Sequence, residues 1–556
     1  MGELVAIGML LIVVVIILRR LPNVKEVAHS DAFKKRRIMN WLPLGLTYAF
    51  LYMGRYNLKI SKFAFEEMKG AGGEALMSNE AFGVIGFVGF IVYGFSFLLN
   101  GPLTDRFGGK FAILCGAGGS CLVNLVMGFG AWSLLYNGPG HEFLGKNFEL
   151  TYSVLYGLNM YFQSFGAVAI VKCNAPWFHV RERGVFGAIF GILISLGIYF
   201  AFDIGYKILG AFDKVEAAGR EVNPGLAWVF FIPALLLAVF WVLDLIMVKN
   251  TPGEAGHEDF DTADASSGDD GEELGVVDVF VKMLTNPVIL TIAAIEFCSG
   301  FIRQAPMQWY RTFAKQTNEV LQLKGDFIYE HWGMWLCIAG ISGGVVAGTI
   351  SDHIFNSRRG PVAAVLYGGV TIGSILLFFL FDTPVIDIGV KLSVPGILAI
   401  LISMCVIGVH GMLSGTASMD FGGKKNVGIA VGIIDGFVYL GSGIMMAVYG
   451  VVLPTEEFDQ AGKLTGAVTD PANWRPWPIS MIIVGILGTL LATRVWNAKP
   501  KGKEVKPGIG TEVEDVPGGE GKGKDEDAES KDAESKGAEA DDAKAGGDAD
   551  ADAAKS

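Results

Sequence analysis

Stretches of about twenty predominantly apolar residues recur twelve times between residue 40 and residue 496 of this chain. A helix rises about 1.5 Å per residue, so each stretch has the length needed to cross a bilayer. With 51% hydrophobic residues and a mean hydropathy of +0.44, the chain reads as an all-α polytopic membrane protein rather than a soluble enzyme. The stretches lie near 40–66, 80–101, 109–135, 149–174, 184–208 and 226–248, then near 285–314, 331–352, 360–381, 392–418, 426–452 and 477–496.

One of them holds a strong base well inside itself and no acid. In Leu46 to Phe65, LTYAFLYMGRYNLKISKFAF, Arg55 lies about fifteen residues past the basic run Lys34 to Arg37. That is roughly 22 Å of helix, beyond snorkelling reach of the surface the helix enters from. A guanidinium at that depth costs at least a few kcal/mol unless it faces a cavity or an anion. Arg303, in TIAAIEFCSGFIRQAPMQWY, repeats the situation 248 residues later.

Other landmarks repeat at nearly the same offset. Gly101 and Asp105 after the second stretch match Gly348 and Asp352 after the eighth at 247, and Gly184 matches Gly428 at 244. Two six-helix halves related along the chain, with polar groups between them at mid-depth, describe an alternating-access carrier.

The net charge of −12 belongs to the appendages. Thr251 to Gly275 holds nine acids and no Lys or Arg, and Thr511 to Ser556 holds sixteen acids and six lysines. Subtracting that net −9 and net −10 from −12 leaves about +7 on the membrane part. The acidic segments read as solvated and disordered. Residues 3 to 18, ELVAIGMLLIVVVIIL, are followed by Arg19 and Arg20 and lack an A-x-A cleavage site, so they read as an extra anchor helix. The expected organisation is therefore an anchor (1–20), a basic linker (21–39), a first six-helix bundle (40–249), an acidic loop (250–280), a second bundle (281–497) and a polar Ala/Gly-rich tail (498–556).

Short basic loops fall on one side: Arg106 with Lys110, Arg181 with Arg183, Arg358 with Arg359 and Lys424 with Lys425. The positive-inside rule makes that side cytoplasmic and puts the acidic loop and tail there too. All six cysteines lie in apolar stretches without C-x-x-C spacing and read as buried free thiols. No Walker loop, zinc motif or nucleophile elbow is present, so no cofactor, metal, nucleic acid or enzymatic reaction is expected.

The stretch Asn100 to Lys110, NGPLTDRFGGK, resembles the loop between helices two and three that marks the major facilitator superfamily. That resemblance implies the two-bundle fold and makes Gly101, Asp105 and Arg106, with Gly348 and Asp352 in the second half, gating residues. Within the superfamily, residues 40 to 497 resemble the organophosphate:phosphate antiporter family. The likeness rests on Tyr48 and Tyr52 before Arg55, YGFS at Tyr93 to Ser96, and FQSFG with its trailing Lys and Trp from Phe162 to Trp177. It rests further on ERG at Glu182 to Gly184, Arg303, SD with F and RG from Ser351 to Gly360, and GIIDGFVYLGS from Gly432.

In that family arginines of helices one and seven clamp the phosphoryl group, which implies that role for Arg55 and Arg303. The chemistry suits it, because a guanidinium stays charged and presents a planar fork to phosphate oxygens. Tyr48, Tyr52, Tyr93, Tyr161, Gln163 and Tyr439 would line the same cavity by resemblance. The chain departs where relatives carry a lysine after YGFS and a histidine in helix five; here Phe97 and Ile194 stand. Lys59 and Lys62, on the helical face of Arg55, either replace that positive charge or snorkel to the surface.

Three further polar residues lie at membrane depth. Glu296 precedes Arg303 by seven residues and Asp435 precedes Tyr439 by four. They are read first as counter-ions of the arginines and alternatively as proton-coupling carboxylates. His410 is either a hydrogen-bonded core residue or a group titrating near neutrality. Gly428, Gly432 and Gly436 form a small-residue packing face. The resulting expectation is a monomeric inner-membrane antiporter in the lipid bilayer, exchanging inorganic phosphate for a small phosphate ester. Proton-coupled symport of an organic anion, or a transporter-like sensor of sugar phosphates, are the alternatives.

Overall fold

A computed structural model describes residues 29–70, 74–179, 191–260, 281, 284–355, 358–459 and 463–497, with the side chains of residues 352 and 415–431 outside that description. The expected anchor at 3–18, Arg181 to Gly184, most of the acidic loop and the tail lie outside the described residues.

The first half runs α1 (Asp31–Glu66), α2 (Asn79–Phe107), α3 (Gly109–Tyr136), α4 (Phe148–Asn174), α5 (Gly191–Gly210) and α6 (Gly225–Met247). The second runs α7 (Pro287–Gln316), α8 (Trp332–Thr349), α9 (Arg359–Leu380), α10 (Val394–His410), α11 (Ser418–Val452) and α12 (Pro476–Arg494). Eleven helices among the described residues are long and apolar enough to cross a membrane. Helix α1 fits the same place in the bundle, and its exception comes from its charges, Arg55, Lys59 and Lys62 among them.

Helix starts follow local chemistry. Ser30, Ser78 and Ser393 each accept a hydrogen bond from a backbone N–H three residues on, at α1, α2 and α10. Asn286 caps α7, where Pro287 occupies a first-turn position that needs no N–H. The Ser30 cap corrects one expectation: residues 31–39, read as linker, are the first turns of α1. Their basic side chains are held there, Arg36 donating to the Met247 carbonyl (2.7 Å) and Arg37 to the Trp177 carbonyl (3.4 Å).

Within the first half α2 packs on α4, and α3 on α4 and α6; within the second, α7 packs on α11 and α12, and α9 on α10 and α12. The halves meet along α2 and α11, where glycines bring backbones together. A Cβ at Gly94 would lie 2.9 Å from the Gly436 carbonyl oxygen, and one at Gly432 3.3 Å from that of Phe97. Large side chains such as Leu122, Phe129, Leu150, Phe379 and Leu490 face outward and are exposed, as a lipid-facing belt requires.

Short two-stranded hairpins close the α5–α6 loop (Val215–Ala217 with Arg220–Val222), the α9–α10 loop (Ile386–Asp387 with Lys391–Leu392) and the α11–α12 loop (Glu457–Phe458 with Leu464–Thr465). Alternate connections lie at one end of an antiparallel bundle, so these three mark a hairpin end. Asp105 marks the opposite, motif end.

Candidate functional site

About two-thirds of the way along α1, Arg55 is fully buried and its guanidinium is held by uncharged groups. One terminal nitrogen donates to the Tyr93 hydroxyl (2.8 Å) and to Gln163 Oε1 (3.4 Å); the other donates to the Tyr439 hydroxyl (3.2 Å). The rings of Tyr52 and Tyr93 lie 4.5 and 4.7 Å from its central carbon, close enough for cation–π attraction. Gln163 is fixed in turn by donating to the Leu51 carbonyl (2.9 Å), and Tyr156 donates to the carbonyl of Arg55 itself (3.0 Å). Tyr48 stacks edge-on against Tyr52 at 5.4 Å.

The second half supplies the other cation. Arg303 on α7 is half-buried, and its central carbon lies 5.7 Å from the ring of Tyr439, whose hydroxyl serves Arg55. One tyrosine of α11 therefore touches both guanidiniums, one from each half. Nε of Arg55 and Nε of Arg303 are buried donors that find no hydrogen-bond partner among the described residues. Among the described residues, no carboxylate pairs with either arginine. The arrangement is an aromatic and amide cage around two cations with spare donors, which is what a multiply charged oxyanion would complete.

Most residues expected at the site converge on it. Phe97, where the family resemblance implied a lysine, packs against the rings of Tyr93 (5.0 Å) and Tyr439 (5.8 Å), so a ring and not a charge occupies that corner. Tyr161 stays apart: its ring meets Phe162 and Phe165, and no described contact brings it to the arginines.

The two lysines differ. Lys59 is buried, donates to the Thr312 hydroxyl of α7, and lines a narrow cavity shared by Arg55, Gln308 and Met446. Lys62 is buried between Glu66 (3.1 Å) and Glu456 (2.9 Å), so it neither snorkels nor faces the arginines. Glu456 also accepts from the backbone N–H of Asn79 (2.8 Å) and from Gln316 (2.8 Å). Asp203 on α5 accepts from the backbone N–H groups of Gly333 (2.7 Å) and Met334 (2.9 Å), capping α8 from the other half. Arg311 of α7 lies between the rings of Tyr206 (3.6 Å) and Tyr329 (4.1 Å). These residues bridge the halves at the hairpin end.

Sequence reasoning missed Asp203, Glu456 and the α7 polar face. A signal for the last existed: Gln304, Gln308, Thr312 and Gln316 recur every four residues, one stripe of an otherwise apolar helix. Gln304 donates to the Tyr56 hydroxyl (3.1 Å) and Gln308 to Gln304 (3.3 Å).

Toward the motif end of the second half, Glu296 pairs with His410 (2.8 Å), and Ser414 donates to Asp435. Among the described residues neither acid makes an ion pair with Arg303, although Asp435 lies close enough to interact with its charge. In the motif itself Asp105 accepts from Lys172 (2.6 Å) at a half-exposed surface, while Arg106 lies over Phe107. Gly101 is buried, Gly348 would meet nothing with an added Cβ, and the Asp352 side chain lies outside the described residues. All six cysteines are unpaired, and no group of metal ligands is found among the described residues.

The sequence profile described as Major Facilitator Superfamily matches residues 44–446. The chain belongs to the Major Facilitator Superfamily. This superfamily comprises transporters rather than enzymes, and its members are multi-pass membrane proteins. The chain is 25% identical over 498 residues to the glycerol-3-phosphate transporter of Bacillus subtilis, covering 87% of this chain and 98% of that one. It is 22% identical to a probable hexose phosphate transport protein of Chlamydia pneumoniae (87% and 97% covered) and 22% to the membrane sensor protein UhpC of Escherichia coli (85% and 95%). These relatives are of the kind the organophosphate:phosphate antiporter resemblance implied. Among solved structures, a D-xylose–proton symporter superposes with a TM-score of 0.55 at 16% identity, covering 83% of this chain and 97% of the other. The xylose transporter XylE from E. coli does so with 0.51 at 17% (83% and 97%). Both share the fold of this superfamily member.

Proposed function

We propose that this superfamily member is an alternating-access antiporter exchanging a small phosphorylated organic anion for inorganic phosphate. The observation that carries the reading is the convergence of Arg55 and Arg303, one from each half, on Tyr439, with Nε donors unpartnered and no acid ion-paired with either among the described residues. An anion bridging the two forks draws the halves together and screens both cations during reorientation. Without it the cations remain uncompensated, which disfavours an empty return and makes exchange obligatory. Tyr48, Tyr52, Tyr93, Gln163 and Tyr439 shape the site, and Asp105, Arg106 and the matching second-half residues serve the gate at the motif end. That end faces the cytoplasm of an inner-membrane protein, together with the acidic loop and tail. The carrier works as a monomer, each half being one of the two bundles, 40–249 and 281–497.

Counterflow in proteoliposomes tests this. Phosphate-loaded vesicles should take up labelled glycerol 3-phosphate or hexose phosphate without a pH gradient. The pair formed by Glu296 and His410 favours a second reading, proton-coupled symport of an organic anion, which demands an imposed proton gradient. The likeness to a membrane sensor favours a third, in which substrate binds without flux. The three outcomes are mutually exclusive in the same vesicles.

A further inference from the structure

Lys59 lies four residues past Arg55, one helical turn or about 6 Å toward the hairpin end and on the same face of α1. It is 1% exposed. Its described hydrogen bond goes to a neutral hydroxyl, that of Thr312, and its ammonium lies over the rings of Phe63 (5.4 Å) and Phe82 (5.1 Å). Among the described residues it makes no ion pair, whereas Lys62 one turn further is held between two carboxylates. Arg55 and Lys59 line one cavity, closed from the other half by Gln308 and Met446 and walled by Phe82 and Phe90.

Two buried cations in one cavity, without an acid for either, leave a charge that a single phosphoryl group on Arg55 and Arg303 does not answer. We infer that Lys59 is a second anion subsite, and that the preferred substrate is a phosphate ester carrying a carboxylate on a short carbon chain. This rests on the reading of Arg55 and Arg303 as the phosphate clamp. The side chains divide the labour: planar forks suit the phosphoryl oxygens, while a compact ammonium with three donors, one spent on Thr312, suits a carboxylate. The apolar wall between them contacts the carbon skeleton. A turn of helix separates the two cations by about the length of a three-carbon acid esterified at its far carbon.

The test uses two probes that differ only at that end, 3-phosphoglycerate and glycerol 3-phosphate, each competing with labelled phosphate uptake into phosphate-loaded proteoliposomes. The wild-type protein should prefer the acid by about 10-fold or more, the value of one charge-assisted hydrogen bond in a dry site. Lys59→Gln should bring the ratio of the two inhibition constants toward one, and Lys59→Arg should keep the acid ahead. Wild-type preference for glycerol 3-phosphate, the ester without a carboxylate, or a ratio unmoved by Lys59→Gln, overturns the assignment while leaving the clamp standing and makes Lys59 a bridge to Thr312. Failure of wild-type vesicles to exchange phosphate at all sinks both readings. The wild-type ratio decides the matter even where a variant does not insert.

Discussion

Two layers of the bundle join its halves, and they handle charge in opposite ways. At the hairpin end Lys62 is matched by Glu66 and Glu456, and Asp203 is matched by the N-terminus of α8. About two turns of α1 away, Arg55 and Arg303 are met by phenols, a carboxamide and aromatic faces, with donors left over. A buried charge without an opposite is costly, so the first layer is complete in itself, and the second, on the function proposed above, is completed by a guest. Cross-half contact alone therefore does not mark a binding site. The mark is cross-half contact whose charges do not cancel.

That contrast can be broken experimentally. Arg55→Lys or Arg303→Lys should lower transport at least about 100-fold without preventing membrane insertion, because a point charge does not reproduce a bidentate fork. Near-normal counterflow by either variant would remove the distinction between the layers. Lys62→Met should destabilise the protein by about 3–5 kcal/mol, since it leaves Glu66 and Glu456 buried without their shared cation. Thermal unfolding in detergent measures this, and pairing the change with Glu456→Gln should recover part of the loss. Asp203→Asn retains the shape of the cap but gives up its charge, costing about 1–2 kcal/mol of contact between α5 and α8. Cysteines placed at the hairpin end should then react faster with an impermeant maleimide, while the affinity of the arginine layer for phosphate changes little. At the small end of the scale, deleting Thr511 to Ser556 should leave uptake unchanged. A drop in flux would give that tail a part in the cycle.

The arginine layer was largely legible in the sequence, because a strong base inside a twenty-residue apolar run has few physical outcomes and because it recurs in the second half. Tyr93, Gln163 and Tyr439 came from resemblance and do meet Arg55. Tyr161 came the same way and does not: two positions before Gln163, it lies on nearly the opposite side of α4, against Phe162 and Phe165. The hairpin-end layer was not legible. Glu456 lies in a loop 394 residues from Lys62, where an acid is unremarkable, and nothing local pairs the two. Asp203 interrupts an apolar run, yet its partners are backbone N–H groups with no signature of their own. The start of α1 was missed because hydropathy marks where a helix becomes greasy, while Ser30 marks where it begins.

The glycine seam between α2 and α11 bears on how such a molecule moves. Near Gly83 and Gly450, and again near Gly94 and Gly436, the helices touch main chain to main chain, while Met446 seats over Gly86 and Ile91 over Gly443 between those points. Meshed cogs must be lifted apart before they turn, whereas backbones in direct contact slide or roll there at almost constant separation. The halves thus carry their own bearing, and a single methyl group added at Gly94 is a grain of sand in it.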